Sequence, residues 1–292
     1  MFYVGDKFRL IAEIKKYFPK NINKFIEPFV GGGTVFLNIP AKKYLLNDID
    51  TNVINLHKLL NNQNNLSEFL ERVNKIATEY NLSKSFIENV IPKELKEEFK
   101  KTYYAHYNKE GYNKLKKDYN SSTKREPFIL YLLIIYGFNR MFRFNSSNEF
   151  NVPVGNVDFN KNVVNALEHY FSYKNEKEIK FFNFDFRAFL DNIVIEKNDF
   201  IYFDPPYLIT FSEYNKLWNE EKEYELLEYL DYLNENEIKF AISNVTDYKG
   251  KENKIFKEWM KKYYVHSINS NYISYHDNSS KSFNEVLVKN YK

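Results

Sequence analysis

Lys24-Phe25-Ile26-Glu27-Pro28-Phe29-Val30-Gly31-Gly32-Gly33 is the stretch that decides the fold. An apolar run closing on an acid and a proline, followed by three glycines, reads as a buried strand breaking into a turn where backbone approaches a ligand. Residues 34–38 are expected to begin a helix and 43–48 to form a second strand. A helix over 51–60 then carries Val53, Ile54, Leu56, Leu59 and Leu60 on one face, with Thr51 as N-cap. A β-α-β-α opening favours a parallel sheet. Further strands are expected at 179–184, 199–203 and 238–243, and 263–268 with 283–289 as an antiparallel edge hairpin. From about Asn61 to Lys177 the spacing is helical and charged, which marks an inserted, mostly helical domain between 1–60 and 178–292.

With 292 residues, 43% apolar and 18% aromatic, the chain has ample material for a packed core, in one large domain or two smaller ones. The absence of cysteine excludes disulfides and thiolate metal sites and is compatible with a reducing cytoplasm. The most apolar run, 128–138, is too short to span a bilayer, and no apolar segment of a signal peptide follows Met1. A net charge of +3 means that any polyanion must be held by a local patch. Within the insert, Lys93, Lys96, Lys100, Lys101, Lys114, Lys116 and Lys117 interleave with Tyr103, Tyr104, Tyr107, Tyr112 and Tyr119. Such a mixture suits phosphates and bases, and equally a solvated helix face, since Glu94, Glu97 and Glu98 sit among the lysines.

The second informative stretch is Asp204-Pro205-Pro206-Tyr207, closing the run Phe200-Ile201-Tyr202-Phe203. Two prolines after a strand rigidify the chain and present a carboxylate, a carbonyl and an aromatic ring together. Asp204 and the Pro205 carbonyl can each accept one hydrogen of a conjugated amine, pushing its nitrogen toward tetrahedral character, while Tyr207 can stack on the ring. The glycine turn with Asp48 and Asp50 suits an adenosine moiety whose ribose hydroxyls meet a carboxylate. An NAD-binding oxidoreductase shares that logic, but the turn lacks Gly-x-Gly-x-x-Gly and Gly-Lys-Ser/Thr, which serve phosphates. S-adenosylmethionine carries no phosphate. The two stretches together therefore point to a methyl donor beside a planar amine.

These residues resemble the DNA adenine methylase (Dam) family in motif order: glycine loop, recognition insert, then Asp-Pro-Pro-Tyr. The resemblance runs over nearly the whole chain, through Glu27 to Asn38, Leu46-Asn47-Asp48-Ile49-Asp50, Arg143-Phe144-Asn145, Glu149-Phe150-Asn151-Val152-Pro153-Val154-Gly155 and Phe203 to Tyr207. Tyr214 to Trp218, Ser243-Asn244-Val245 and Gly250 to Asn253 look like the T-even phage branch. The resemblance implies an α/β, Rossmann-like S-adenosylmethionine-dependent methyltransferase sheet with an inserted, mostly helical DNA-recognition domain bearing a β-hairpin. Residues 1–60 and 178–292 would form the catalytic domain and 61–177 the target-recognition domain.

By the same resemblance Asp204, Pro205, Pro206 and Tyr207 are catalytic. Lys7, Glu27, Pro28, Phe29, Gly31, Gly32, Gly33, Thr34, Asp48, Phe184, Asp185 and Asp204 would line the cofactor site, with no metal. The family's N-terminal Phe-x-Lys-Trp-Ala-Gly-Gly-Lys is shortened here to Tyr3-Val4-Gly5-Asp6-Lys7, leaving Tyr3 as the nearby aromatic. Phe138, Asn139, Met141, Arg143, Asn145 and Pro153 would contact DNA, Arg143 reading guanine O6 and N7 and Phe138 entering the stack. Their spacing is that of members that methylate GATC. Without the resemblance, Phe138 and Met141 read as core of an apolar helix. The implied substrate is double-stranded DNA with a flipped adenine, the implied state a monomer or a transient dimer on DNA, and the implied place the cytoplasm and nucleoid. Alternatives are an amino-methyltransferase for cytosine or RNA adenine, and a non-catalytic DNA-binding protein on a decayed methylase fold.

Overall fold

The computed structural model describes residues 7, 9–175, 177–210, 218–268 and 283–292. Tyr3 and residues 214–217 lie outside them. Two compact units emerge, Lys7–Thr51 with Lys177–Lys292, and Asn52–Glu176.

The first unit is built on a sheet. Strands β1 (Lys24–Glu27), β2 (Lys43–Asn47), β3 (Glu178–Phe182), β4 (Phe200–Phe203) and β5 (Lys239–Tyr248) run parallel. The short β6 (Lys251–Glu252) pairs back on β5, and β7 (Tyr264–Ile268) with β8 (Phe283–Lys289) completes the order β3-β2-β1-β4-β5-β8-β7, in which β8 is antiparallel to both neighbours. All four residues of β4 are buried, as a strand covered on both faces requires. On one face Ile26, Ile201, Phe203, Phe240, Ile242, Val286 and Val288 pack in one core with α8 (Phe186–Asp191), α9 (Glu220–Glu235) and α10 (Lys254–Trp259), chiefly through Phe189, Leu230 and Phe256. The direction of strand addition reverses between β1 and β4, and open α/β sheets bind ligands beyond their strand ends at such a point.

The expected parallel core and antiparallel edge are thus present, with three differences. Residues 34–38 form only a 3-10 turn at Phe36–Asn38, because Pro40 forces Ile39 into extended backbone. Thr51 is already helical, and its hydroxyl donates to Asn183 instead of capping α2 (Thr51–Asn62). β5 runs five residues beyond Ser243, since the polar side chains of Asn244 and Thr246 find buried partners.

The second unit is helical, with α3 (Leu66–Glu79), α4 (Lys93–Glu98), α5 (Tyr103–Ser121), α6 (Pro127–Tyr136) and α7 (Lys161–Lys174). Helix α6 starts on Pro127, whose fixed φ suits a first turn, and buries Phe128 and every residue from Leu130 to Tyr136. It is the apolar axis of this unit. Tyr112 and Tyr119, expected on a basic surface, are core residues: the Tyr112 hydroxyl donates to the Val152 carbonyl at 3.0 Å, and burial pushes both phenols up. Among the described residues no helix is long and apolar enough to cross a membrane.

Candidate active site

The turn after β1 is shaped by Gly31 (φ 45°) and Gly33 (φ 74°), where a side chain would strain the backbone. Asp48, just past β2, accepts the Gly31 N–H at 2.9 Å through Oδ2 and the Asp50 N–H at 3.0 Å through Oδ1. Burial pushes its carboxyl up to about 6, although the Asp50 and Gly31 N–H groups favour the ionised form. The fully buried Asn47 amide donates to the Pro28 and Phe184 carbonyls, each at 3.0 Å, and accepts the Phe184 N–H. One side chain thereby ties together the ends of β1, β2 and β3.

Phe29 packs edge-on to Trp218 with ring centroids 5.6 Å apart, and both meet Phe186. Trp218 donates to Glu223, a fully buried carboxylate that also accepts from Asn244 and Asn253. Phe184 is 49% exposed. Asp185 is already engaged: it caps α8 through the Arg187 N–H and lies 3.4 Å from Lys222. Thr34 is buried with its carbonyl taken by Asn38.

Asp204 follows β4 directly. Lys7 Nζ lies 2.8 Å from its Oδ1, and the Tyr207 hydroxyl donates to the same oxygen at 2.9 Å. Lys7 also donates to the Tyr207 oxygen at 2.5 Å. Both contacts therefore fall on Oδ1, and Oδ2 is engaged by neither. Glu285 of β8 approaches the same pair, 3.4 Å from Lys7 and 3.2 Å from the Tyr207 hydroxyl. Pro205 is buried and Pro206 half-buried, which fixes the backbone between acid and ring. Burial, then the Asp204 charge, push the Tyr207 phenol well above its usual range. Glu27 is buried with Oε2 unpartnered, and burial together with Asp204 pushes its carboxyl well up. Glu27, Asp48, Asp204 and Glu285 thus gather in one unit with Lys7.

In the helical unit, α6 stops at Gly137, and Asn139 and Arg140 both adopt positive φ, at 50° and 52°. This bend leaves Phe138 48% exposed, outside the core, with its N–H donating to the Pro153 carbonyl at 2.8 Å. Bridges Gly137↔Val154 and Phe144↔Phe150 define a minimal hairpin. Gly155 is pressed so closely on it that a Cβ would lie 2.6 Å from the Gly137 carbonyl oxygen. Arg143 spends Nε on Asn151 Oδ1 at 2.8 Å and one Nη2 hydrogen on the Asn151 carbonyl at 3.2 Å. Nη1 is not used in these two bonds. Asn145 closes the loop, accepting the Ser147 and Glu149 N–H groups. Asn139 and Pro153 are exposed and Met141 half-buried.

Residues 3–274 match the family described as D12 class N6 adenine-specific DNA methyltransferase. The chain belongs to this family. It is 34% identical over 304 residues to the modification methylase StsI of Streptococcus sanguinis and 34% over 298 residues to the type II methyltransferase M.FokI of Planomicrobium okeanokoites. In each case 99% of this chain aligns with 42% of the relative, so the chain spans about two fifths of their length. A DNA adenine methylase of Haemophilus influenzae is 33% identical over 217 residues, 73% of this chain and 65% of that protein.

In this D12-class chain the structure brings Lys7, Glu27, Asp48, Asp204 and Tyr207 into one unit, as the sequence implied, and adds two residues with no role in the sequence analysis. Asn47 was hidden by its neighbour Asp48, and Glu285 by its position in an apolar strand. An acid between Asn284 and Val286-Leu287-Val288 is the signal that could have found it, because a carboxylate there is buried only beside a partner.

Proposed function

We propose that this chain transfers a methyl group from S-adenosylmethionine to the exocyclic amine of an adenine in duplex DNA. The observation that carries the reading is the Asp204 carboxylate, locked at Oδ1 by Lys7 and Tyr207 with Oδ2 left for a substrate hydrogen. The cofactor-side residues fit the cofactor on charge: the carboxylates of Asp48, Asp204 and Glu285 suit a cationic ligand and would repel a pyrophosphate, while Glu27, its carboxyl pushed well up, offers an unpartnered Oε2 for hydrogen bonding. Gly31 and Gly33 give close approach, Asp48 an acceptor for ribose hydroxyls, and Phe184 an apolar face. S-adenosylmethionine supplies an electrophilic methyl on sulfonium sulfur.

The chain's own work is orientation. Asp204 Oδ2 and the Pro205 carbonyl each accept one amine hydrogen, which localises the nitrogen lone pair for in-line attack. As the nitrogen gains positive charge, Asp204 stabilises it and accepts the proton it sheds. The Tyr207 hydroxyl is tethered to Lys7, Asp204 and Glu285, so the ring has one fixed plane on which a base can stack, worth about 1–3 kcal/mol. A stacked base cannot reach such a carboxylate, and the adenine is therefore flipped out of the duplex.

Site choice is assigned to the helical unit, 61–177 serving as target-recognition domain and the rest as catalytic domain. Phe138 stands proud of the core for insertion into the stack, and Arg143 keeps Nη1 and one Nη2 hydrogen for guanine O6 and N7. GATC is the site proposed, and the protein works on nucleoid or phage DNA in the cytoplasm. Single-molecule sequencing of plasmid DNA from a methylation-null host expressing the gene tests base and site together. N6-methyladenine in GATC is expected, and another motif would overturn the role of the Arg143 hairpin.

A further inference from the structure

Glu285 enters the mechanism above only as one tether of the Tyr207 hydroxyl, yet it is 1% exposed and stands against two of the groups that hold Asp204. Its Oε1 lies 3.4 Å from Lys7 Nζ and 3.2 Å from the Tyr207 hydroxyl, while Oε2 is buried without a partner. Lys7 and Tyr207 in turn share Asp204 Oδ1, at 2.8 and 2.9 Å. The carboxylates of Glu285 and Asp204 thus face one ammonium and one hydroxyl that both can use. The β8 backbone anchors Glu285 through its pairing opposite Val245.

We propose that Glu285 is a positioning residue for methyl transfer: by sharing the Lys7 ammonium, which has hydrogens for both carboxylates, it keeps Lys7 on Asp204 Oδ1 and leaves Oδ2 for the amine. This rests on the adenine methyltransferase reading. A buried lysine with a single carboxylate partner gains most by lying between both of its oxygens, where it would compete with the substrate. A second acceptor opposes that movement. The charge balance has the same sense. Burial pushes the Glu285 carboxyl up and Lys7 draws it back down; when it is ionised, Lys7, Asp204 and Glu285 together carry one net negative charge, which favours positive charge building on the amine nitrogen.

Glu285→Gln keeps the shape and one acceptor oxygen and removes the charge. The single-turnover rate of methyl transfer to duplex DNA is expected to fall about 30-fold, with the Kd for S-adenosylmethionine within about threefold of the wild type. The acid limb of the pH–rate profile is expected at lower pH, because a negative charge has left a coupled cluster whose other titratable members are Lys7, Asp204, Tyr207, Tyr202 and Glu27. A purely structural role would lower Tm and weaken cofactor binding without moving the pH profile, and that result overturns the proposal, as does a wild-type rate. Should Glu285→Gln fail to fold, Glu285→Asp, which withdraws the oxygens by one methylene, is judged by the same split between rate and affinity. An inactive wild-type protein overturns the adenine reading and this proposal with it. An active wild type with an unaffected variant overturns the role of Glu285 alone.

Discussion

Asp204 Oδ2 and the Asp48 carboxylate are the atoms on which the chemistry can be tested most directly. Asp204→Ala removes the acceptor that localises the amine lone pair, while the residues assigned to DNA contact lie in the other unit. Tritiated methyl incorporation is expected to vanish, with DNA affinity in a gel-shift assay retained within about threefold; residual activity near that of the wild type would remove Asp204 from the mechanism. Asp48 carries a pH signature. Its folded carboxyl is pushed up to about 6 from an ordinary 3.8, so the folded state binds the proton more tightly than the unfolded chain. That burial costs stability above pH 6, and the cost fades as pH falls from about 6 toward 4. In the proposed site, ribose hydroxyls donate to the ionised form, so cofactor binding at pH 6 is expected to expel the proton held by about half of the molecules. Calorimetric titration of S-adenosylmethionine in buffers of different ionisation enthalpy should report this release, larger at pH 6 than at pH 7.5 and smaller in Asp48→Asn.

The strand ends depend on joints that sequence patterns conceal. Asp-Pro-Pro-Tyr and the glycine turn were legible because proline and glycine punctuate the chain and because apolar runs precede them. The far half of β5 was not, since Asn244-Val245-Thr246-Asp247 looks like a loop until Glu223, Asn253 and Asn284 supply its buried partners. Asn47 is the clearest joint of this kind. Asn47→Ala strips two donors and one acceptor from a fully buried site and leaves the Pro28 and Phe184 carbonyls unpaired. A loss of about 3 kcal/mol is expected, as buried groups that lose their partners cost about 1–3 kcal/mol each. The KM for S-adenosylmethionine should rise at the same time, because the turn and Phe184 lose their common anchor. Denaturant melts and initial rates with cofactor varied check both, and an unchanged KM would confine Asn47 to stability.

Across the whole molecule, the alternation of strand and helix in the sequence foretold the parallel sheet. What escaped were contacts between residues remote in the chain, for which local spacing holds no record. The gathering of Asp48, Asp204 and Glu285 in one unit with Lys7 is one such property, and it favours S-adenosylmethionine over NAD, the two cofactors that the glycine turn alone left open. S-adenosylmethionine at millimolar concentration is expected to raise Tm by several degrees and NAD to leave it unchanged. A shift with NAD only would restore the oxidoreductase reading.

The order β5-β8-β7 sets a timetable. β8 is later in the chain than β7 yet lies between it and β5, so β7 has no place on the sheet until β8 arrives, and the two dock as one hairpin. Lys7 is remote in sequence from Asp204, Tyr207 and Glu285, and contacts of such separation form late in folding. A ribosome-bound chain whose β8 is still in the exit tunnel therefore holds the glycine turn and Asp-Pro-Pro-Tyr without the strand that closes their charge cluster.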